Sequence, residues 1–254
     1  MLGACGEWSA DLQGRPKYLA AYIDAHYQDL GQQFVTPMTR TQFRERLRET
    51  RVLFLGDHHR DPGLHARILT LIEWLSQQGL RPMLGIEAVG IQDNTVLQEY
   101  LTGDLDLRQL RHRIKARWQD SWLDNPDVDQ GFYRDLLRTA RAHKTPVFTL
   151  EPTPRHQLAT RDTMIASNIR RALQLHPDNL IVVIVGHAHL LGQGHLVGRV
   201  GAPALAIAAR FSPALQQAAA KLPRISESSF LQTERGILFF PTTPAGAPAT
   251  GAAR

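Results

Sequence analysis

Short runs of consecutive apolar residues alternate along this chain with longer segments whose apolar residues recur every three or four positions. The apolar runs predict buried strands at residues 52–55, 82–89, 146–150, 180–185 and 203–209, and an edge strand at 236–240. The periodic segments predict helices near residues 64–75, 92–102, 106–117, 131–143 and 161–172. Apolar strands that alternate with helices favour a three-layer α/β/α fold with a mainly parallel sheet.

The same pattern divides the chain into three regions. Residues 1–50 form an N-terminal segment of peripheral helices, in which Thr39 and Gln42 have the spacing of a capping box. Residues 51–240 form the α/β domain. Residues 241–254 are rich in Pro, Ala, Gly and Thr, so we expect a disordered tail.

Two of the predicted strands end in the same pattern, Gly-x-x-His. The first strand continues into Gly56-Asp57-His58-His59 and the fourth into Gly186-His187-Ala188-His189. In a parallel sheet both patterns open at the carboxyl edge, where open α/β sheets bind their ligands. Glycine at both positions would let the backbone turn sharply and let a ligand approach closely.

Imidazole and carboxylate side chains at these strand ends are the candidates for chemistry. His59, His189 and Glu87, which ends the second strand, form a set that can bind Zn, Mn, Fe or Co and activate a water. Without a metal, Asp57 or Glu87 beside a histidine could act as a catalytic general base. Alternatively, these residues have only structural roles: the histidines as hydrogen-bonded turn residues, and Glu87 as a capping or salt-bridging residue.

Further candidates lie beside this set. His58 and His187 belong to the two Gly-x-x-His patterns, and each is as well explained as a turn residue. Arg161 and Asp162 could place an anion-binding guanidinium and its orienting carboxylate in the same cleft. Equally, Asp162 could favour the dipole of the helix that it opens. His65 is expected to pack on the helix after the first loop.

Composition excludes several classes of function. The formal net charge is +5, but the basic residues are spread along the chain rather than gathered in a stripe, so we expect no nucleic-acid partner. The sequence has no Gly-x-Ser-x-Gly elbow, phosphate loop or dinucleotide fingerprint, which argues against serine-triad hydrolysis, nucleotide triphosphate chemistry and hydride transfer. A single cysteine excludes an internal disulfide and a cysteine metal cluster.

That single cysteine lies in a pattern of its own. Leu2-Gly3-Ala4-Cys5 resembles a bacterial lipobox, in which the cysteine is lipidated after a signal peptide is removed. The basic and apolar regions of such a signal do not precede it in the printed sequence. Lipidation of Cys5 therefore requires a start upstream of Met1, and the alternative is a chance match.

Taken in order, the motifs resemble the ChaN-like haem-binding proteins of the wider Tiki/TraB/erythromycin-esterase superfamily. The resemblance covers about residues 50–200 and rests on the segments 52–75, 81–89, 132–154, 161–169 and 181–190. It implies a three-layer α/β/α fold with the site at the sheet edge. It also implies functional positions at Gly56, Asp57, His59, Glu87, Arg161, Asp162, Gly186 and His189.

The chain departs from the family pattern at one of these positions. Asp57 stands where the family's Gly-Glu-x-His motif has glutamate, so its carboxylate reaches one methylene less far. If that carboxylate is a base or a ligand, the geometry has shifted or the activity is weaker. The departure favours binding over hydrolysis. The stretch before Arg161 is also short for the family, which predicts a missing lid or haem-contacting segment.

The resemblance implies a bacterial envelope protein that takes part in haem or iron uptake. We expect haem or another small molecule as ligand, and Tyr133, Trp118 and Trp122 could supply an axial ligand or walls. A lipid anchor at Cys5 would be the only membrane contact, with the protein facing the periplasm; without a signal segment it would be cytoplasmic. The oligomeric state stays open, a homodimer included. The alternatives are a metal-dependent hydrolase using His59, Glu87 and His189, and a non-catalytic scaffold.

Overall fold

A computed structural model describes residues 35–119, 121–152, 158–190, 196–209, 212–222 and 230–241. Its strands form one sheet in the spatial order β1-β7-β8-β6-β2-β5-β3-β4. Strands β8, β6, β2, β5, β3 and β4 run parallel, and β7 is antiparallel to both β1 and β8. The strands are β1 Val35–Met38, β2 Val52–Asp57, β3 Pro82–Ile86, β4 Val147–Thr149, β5 Leu180–Gly186, β6 Ala204–Ala208, β7 Phe230–Thr233 and β8 Leu238–Phe239.

Helices cover both faces of this sheet. In β2, Leu53 and Leu55 pack into one core, and Val52 and Phe54 into the other, as the alternation of side chains along a strand requires. The first five helices contribute to the first core and the last three to the second. The helices are α1 Arg40–Leu47, α2 Pro62–Gln77, α3 Asn94–Thr102, α4 Leu107–Arg117, α5 Gln130–Ala142, α6 Leu158–Leu175, α7 Leu196–Val200 and α8 Pro213–Ala220.

The predicted three-layer α/β/α fold with a mainly parallel sheet is therefore confirmed. Cys5 and most of the predicted tail, from residue 242 onward, lie outside the described residues. Among the helices in the described residues, none combines the length and apolar character that crossing a membrane requires.

Local signals in the sequence explain where several helices begin and end. The capping box of α1 forms as predicted, because the Gln42 N–H donates to Thr39 Oγ1 at 3.2 Å and the Thr39 N–H donates to Gln42 Oε1 at 2.8 Å. Helix α2 begins after Asp61, whose side chain accepts from the Leu64 N–H. Gly79, the predicted stop, follows α2 with a φ of +71°.

The antiparallel end of the sheet differs from the sequence prediction. Strand β1 lies in the segment where only helices were predicted, and β7 was not predicted either. The prediction of an edge strand at 236–240 was wrong, because β8 lies between β6 and β7. These strands have two to four residues, too few to show a periodic pattern.

The pairing of β2 with β5 determines how the two Gly-x-x-His patterns meet. Asp57 is paired with Gly186, and Gly56 with Val185, so the two patterns are offset by one residue. Gly56 therefore lies inside β2, and the prediction of a turn at this position was wrong. A Cβ atom on Gly56 would lie 3.0 Å from Leu190 Cδ1 and 3.1 Å from the Ala209 nitrogen, so the glycine gives room to protein atoms.

We expect Gly56→Ala to destabilise the fold. The added Cβ would press on the backbone near Ala209, and overpacking of this kind costs about 1–3 kcal/mol. Urea denaturation of both variants measures the change in the free energy of unfolding. The matched control is Gly198→Ala in α7, where nothing lies within 4 Å of the added Cβ, so no loss is expected. Equal stability of the two variants would contradict this account of Gly56.

Candidate functional site

The parallel strands bring buried polar side chains together at the carboxyl edge of the sheet. Asp57 ends β2, Glu87 follows β3, and Glu151 follows β4 after one residue. Gly186 ends β5, and His189 lies in the short 3₁₀ turn that follows it. Asp57, Glu87, Glu151 and His189 are all buried although they are polar. Carboxylates and imidazoles buried in this way must find partners in one another.

The first group of contacts centres on Asp57. Its Oδ2 lies 2.7 Å from His59 Nδ1 and also accepts from the Tyr133 hydroxyl. Its Oδ1 lies 2.7 Å from His65 Nε2. The other ring nitrogen of His65, Nδ1, lies 2.8 Å from Asp129 Oδ2. Asp57 thus contacts three side chains that come from β2, α2 and α5 or their adjoining turns.

These contacts shift the protonation of the whole group. Burial alone would raise the pKa of Asp57, but the hydrogen bonds and charges of His59 and His65 lower that pKa well below its usual range. Burial would lower the pKa of His65, but the hydrogen bonds and charges of Asp57 and Asp129 raise it. The pKa of Asp129 is lowered as well, because the His65 contact outweighs partial burial. The arrangement favours a charged His65 between two carboxylates.

Aromatic rings enclose this group. The Trp122 ring lies 4.3 Å from the His59 ring and 5.1 Å from the Tyr133 ring, measured between centroids. The Phe132 ring stacks on His65 at 4.0 Å with an interplanar angle of 8°. His59 keeps 11% of its side-chain surface exposed, against 1% for Asp57 and 3% for His65.

The second group of contacts centres on Arg161. Its guanidinium donates from Nη2 to Glu87 Oε1 at 2.7 Å, and from Nε and Nη2 to Glu151 at 2.7 and 2.8 Å. The other oxygen of Glu87, Oε2, accepts from the Gly186 N–H at 2.6 Å. Arg161 therefore holds two buried glutamates at the ends of neighbouring strands.

A second histidine–carboxylate pair adjoins this group. His189 Nδ1 lies 2.5 Å from Asp162 Oδ1, and His189 Nε2 lies 3.5 Å from Glu87 Oε1. Asp162 therefore contacts and orients His189, a partner that the sequence did not indicate. Because α6 begins at Leu158, Arg161 and Asp162 occupy its first turns and serve different partners.

The two groups meet at Gly186. A Cβ atom on Gly186 would lie 3.4 Å from His59 Nε2 and 3.6 Å from His189 Cδ2. Both imidazole rings therefore approach the same backbone position, and each has its Nδ1 on a carboxylate. These distances are ordinary van der Waals contacts, so both rings lie directly against the position of this glycine.

The structure brings most of the predicted site residues into this cleft. His187 is directed elsewhere, because its Nδ1 accepts from the Ala209 N–H at 3.1 Å, at the end of β6. His58 is half-buried, and its backbone carbonyl accepts from the Asp61 N–H. Sequence reasoning missed Glu151 and the polar role of His65. Glu151 directly follows the apolar run 146–150, the same signal that identified Glu87.

The proposed metal ligands do not fit a divalent ion. Both oxygens of Glu87 already accept hydrogen bonds, one of them from a guanidinium whose positive charge opposes a cation at this position. Within the described residues, no group of three or more His, Cys, Asp or Glu side chains is arranged to hold a metal ion. The contacts of Glu87 therefore argue against a divalent ion shared by His59, Glu87 and His189.

The fold and the site define an α/β/α protein with a histidine–carboxylate cleft at the carboxyl edge of its sheet. The sequence model of the family described as "Haem-binding uptake, Tiki superfamily, ChaN" matches residues 43–159. The resemblance to the ChaN-like family is confirmed over this segment, which contains Asp57, His59, Glu87 and Glu151. Arg161, Asp162 and His189 lie beyond it. No curated protein matches the chain.

Several solved structures are similar to this chain. The type III effector HopBA1 shares 15% identity, with 75% of this chain and 86% of that chain covered and a TM-score of 0.48. ChaN of Campylobacter jejuni, described with cofacial haem binding, shares 10% identity over 68% and 86% of the two chains, with a TM-score of 0.44. RRSP, a MARTX toxin effector domain from Vibrio vulnificus CMCP6, shares 20% identity over 66% and 35%, with a TM-score of 0.47.

The contacts of His65 predict how stability depends on pH. A raised pKa of His65 stabilises the fold below the ordinary value of 6.5 and loses this effect as pH rises through the raised value. A lowered pKa of Asp57 stabilises the fold above 3.8 and loses this effect in stronger acid. We expect the difference in unfolding free energy between wild type and His65→Gln to be largest between pH 3.8 and 6.5 and to shrink as pH rises above 6.5. Urea denaturation at several pH values measures it, and a constant difference would contradict the prediction.

We expect Arg161→Met to destabilise the fold strongly. The substitution leaves Glu87 and Glu151 buried without their cation, and breaking a buried ion pair costs about 3–5 kcal/mol. The control is Arg138→Met, whose exposed pair with Asp135 is worth about 1 kcal/mol or less. Similar losses in both variants would contradict the account.

Proposed function

We propose that this chain binds haem in the carboxyl-edge cleft, with His59 as the residue that would ligate the iron. The observation that carries this proposal is the orientation of the His59 ring. Its Nδ1 is held at 2.7 Å by Asp57, and its Nε2 is directed toward Gly186 and the cleft. A histidine ligand whose other nitrogen donates to a carboxylate is the usual arrangement at metal centres.

The side chains around His59 support its choice as the ligand. Trp122 lies against the imidazole and supplies an aromatic wall next to the ligating position. Tyr133 is less suited as the axial ligand, because its hydroxyl donates to Asp57 and its side chain is buried. Haem would supply an iron centre for which histidine and tyrosine are established protein ligands. The match of residues 43–159 to a haem-binding family supports the same ligand.

The place of this activity in the cell is the second part of the proposal. We infer a lipoprotein of the bacterial envelope that takes part in haem or iron uptake, anchored by a lipid on Cys5 and facing the periplasm. The support is the lipobox-like Leu2–Cys5 segment together with the family description. Mass spectrometry of the protein from its native host, expressed with its own upstream region, should find a diacylated Cys5. An unmodified, cytoplasmic chain would contradict this part alone.

A hydrolase is the second candidate, and one observation favours it. Two histidine–carboxylate pairs, His59 with Asp57 and His189 with Asp162, approach the same backbone position at Gly186. Paired imidazoles of this kind can transfer protons to and from a substrate. Since Glu87 is engaged by Arg161, the geometry supports hydrolysis without a metal better than the metal-dependent hydrolysis expected from sequence.

We expect haemin to bind wild type in an absorbance titration and to give a shifted Soret band at micromolar haemin. His59→Ala should lose most of this shift, because the ligating nitrogen is removed while Asp57 keeps its contacts with His65 and Tyr133. His112→Ala, at an exposed position on α4, is the matched control and should bind as wild type does. An unchanged titration of His59→Ala would contradict the assignment of the ligand.

If the cleft hydrolyses esters or peptides, we expect activity that survives EDTA. Activity should fall by about 100-fold or more in His189→Gln, because a general acid or base is removed. A panel of chromogenic esters and peptides, assayed with and without chelator, measures this. Loss of activity on chelation, restored by one divalent metal, would contradict the metal-independent assignment. If the protein neither binds haemin nor hydrolyses any of these substrates, the remaining hypothesis is a non-catalytic scaffold.

A further inference from the structure

His65 lies behind Asp57 and is fixed by hydrogen bonds as well as by packing. His65 has only 3% of its side-chain surface exposed, yet both of its ring nitrogens contact carboxylates. Its Nε2 lies 2.7 Å from Asp57 and its Nδ1 lies 2.8 Å from Asp129. The parallel stacking of its ring on Phe132 leaves little freedom for rotation.

We propose that His65 and Asp129 are positioning residues that fix the carboxylate of Asp57, and through it the orientation and tautomer of His59. Neither residue reaches the cleft position at Gly186 in the contacts described above. Their action on a ligand is therefore indirect. The expected effect on haem affinity rests on the proposed function, but the expected effect of His65 and Asp129 on the His59 tautomer does not.

Asp57, His65, Asp129 and His59 form a closed circuit of hydrogen bonds, in which each residue contacts the next. Asp57 holds the His59 ring at Nδ1, and the Asp129 N–H donates to the His59 carbonyl at 2.6 Å. The imidazole of His65 bridges the same two aspartates. His59 is therefore held both at its ring and at its backbone by residues that His65 connects. Displacing His65 would remove the bridge between the two aspartates that hold His59.

The circuit also determines the tautomer of His59. An ionised carboxylate only accepts hydrogen bonds, so His65 donates from both ring nitrogens and occupies Oδ1 of Asp57. Oδ2 then accepts from Tyr133 and from Nδ1 of His59. The same Nδ1 lies 2.9 Å from the Tyr133 hydroxyl oxygen, whose own proton goes to Asp57, so this oxygen can also accept from Nδ1–H. With its proton on Nδ1, a neutral His59 carries its lone pair on Nε2, the nitrogen directed toward Gly186.

Two variants separate positioning from packing. In His65→Gln the side-chain amide reaches the position of Nε2 and can still donate to Asp57. In His65→Asn the amide lies near the position of Nδ1, so the contact with Asp129 remains and the contact with Asp57 is lost. Both variants lose the ring that stacks on Phe132, so a role in packing alone predicts similar behaviour for the two.

The direct experiment measures the tautomer of His59 without haem. Proteins labelled with 15N-histidine are compared by NMR, and the His59 signals are assigned through their loss in His59→Ala. We expect the Nδ1–H tautomer in wild type and in His65→Gln, and a mixture of tautomers in His65→Asn. Haemin titration should show affinity reduced by about 10–100-fold in His65→Asn and less in His65→Gln, as for other supporting partners of metal ligands.

The outcomes distinguish this proposal from the proposed function. If wild type binds no haemin but the tautomer shifts as expected, haem binding fails and the positioning role stands. An unchanged tautomer in folded His65→Asn, or equal changes in both variants, overturns the positioning role. If the His65 variants do not fold, Asp129→Asn takes their place, since it keeps an acceptor for the α5 N-terminus but removes the charge facing His65. An unchanged His59 tautomer in that variant overturns the proposal as well.

Discussion

The parallel pairing of β2 with β5 is the constraint on which the rest of the site depends. It places Asp57 beside Gly186, so that the residues following each strand leave the sheet at the same edge and face one another. Two histidines that lie 130 residues apart in the chain thereby approach one glycine. The adjoining strand β3 adds Glu87, whose carboxylate accepts from the Gly186 N–H and so connects the ends of β3 and β5.

Charge at this edge is arranged by pairing buried carboxylates with cations. Arg161 serves Glu87 and Glu151, and His65 serves Asp57 and Asp129, so each cation bridges two acids. This gives a different meaning to the aspartate at position 57, where the family has glutamate. Its shorter carboxylate contacts His59, His65 and Tyr133 and is buried behind them, so it orients other groups instead of reaching a substrate. The departure therefore does not decide between binding and hydrolysis.

The sequence predicts the parallel half of the fold well because long apolar runs and amphipathic helices have clear periods, and the capping box at Thr39 even predicts where α1 begins. It fails for β1, β7 and β8, which are too short to carry a period and are held by their neighbours. The same limit applies to the site. Strand ends identify His59, Glu87 and His189, but only tertiary contacts show that Asp162 serves His189, that His187 serves Ala209, and that His65 bridges two acids. These hydrogen bonds join residues that are far apart in the sequence, so local sequence patterns do not specify them.

We propose that haem binds between the ends of β2 and β5 with His59 as the iron ligand. The most direct test of this proposal is diffraction from crystals grown with haemin, with data collected at the iron absorption edge. We expect one strong anomalous peak within bonding distance of His59 Nε2, with the porphyrin against Trp122. Iron bonded to another residue, or haem absent from this cleft although it binds in solution, would contradict it.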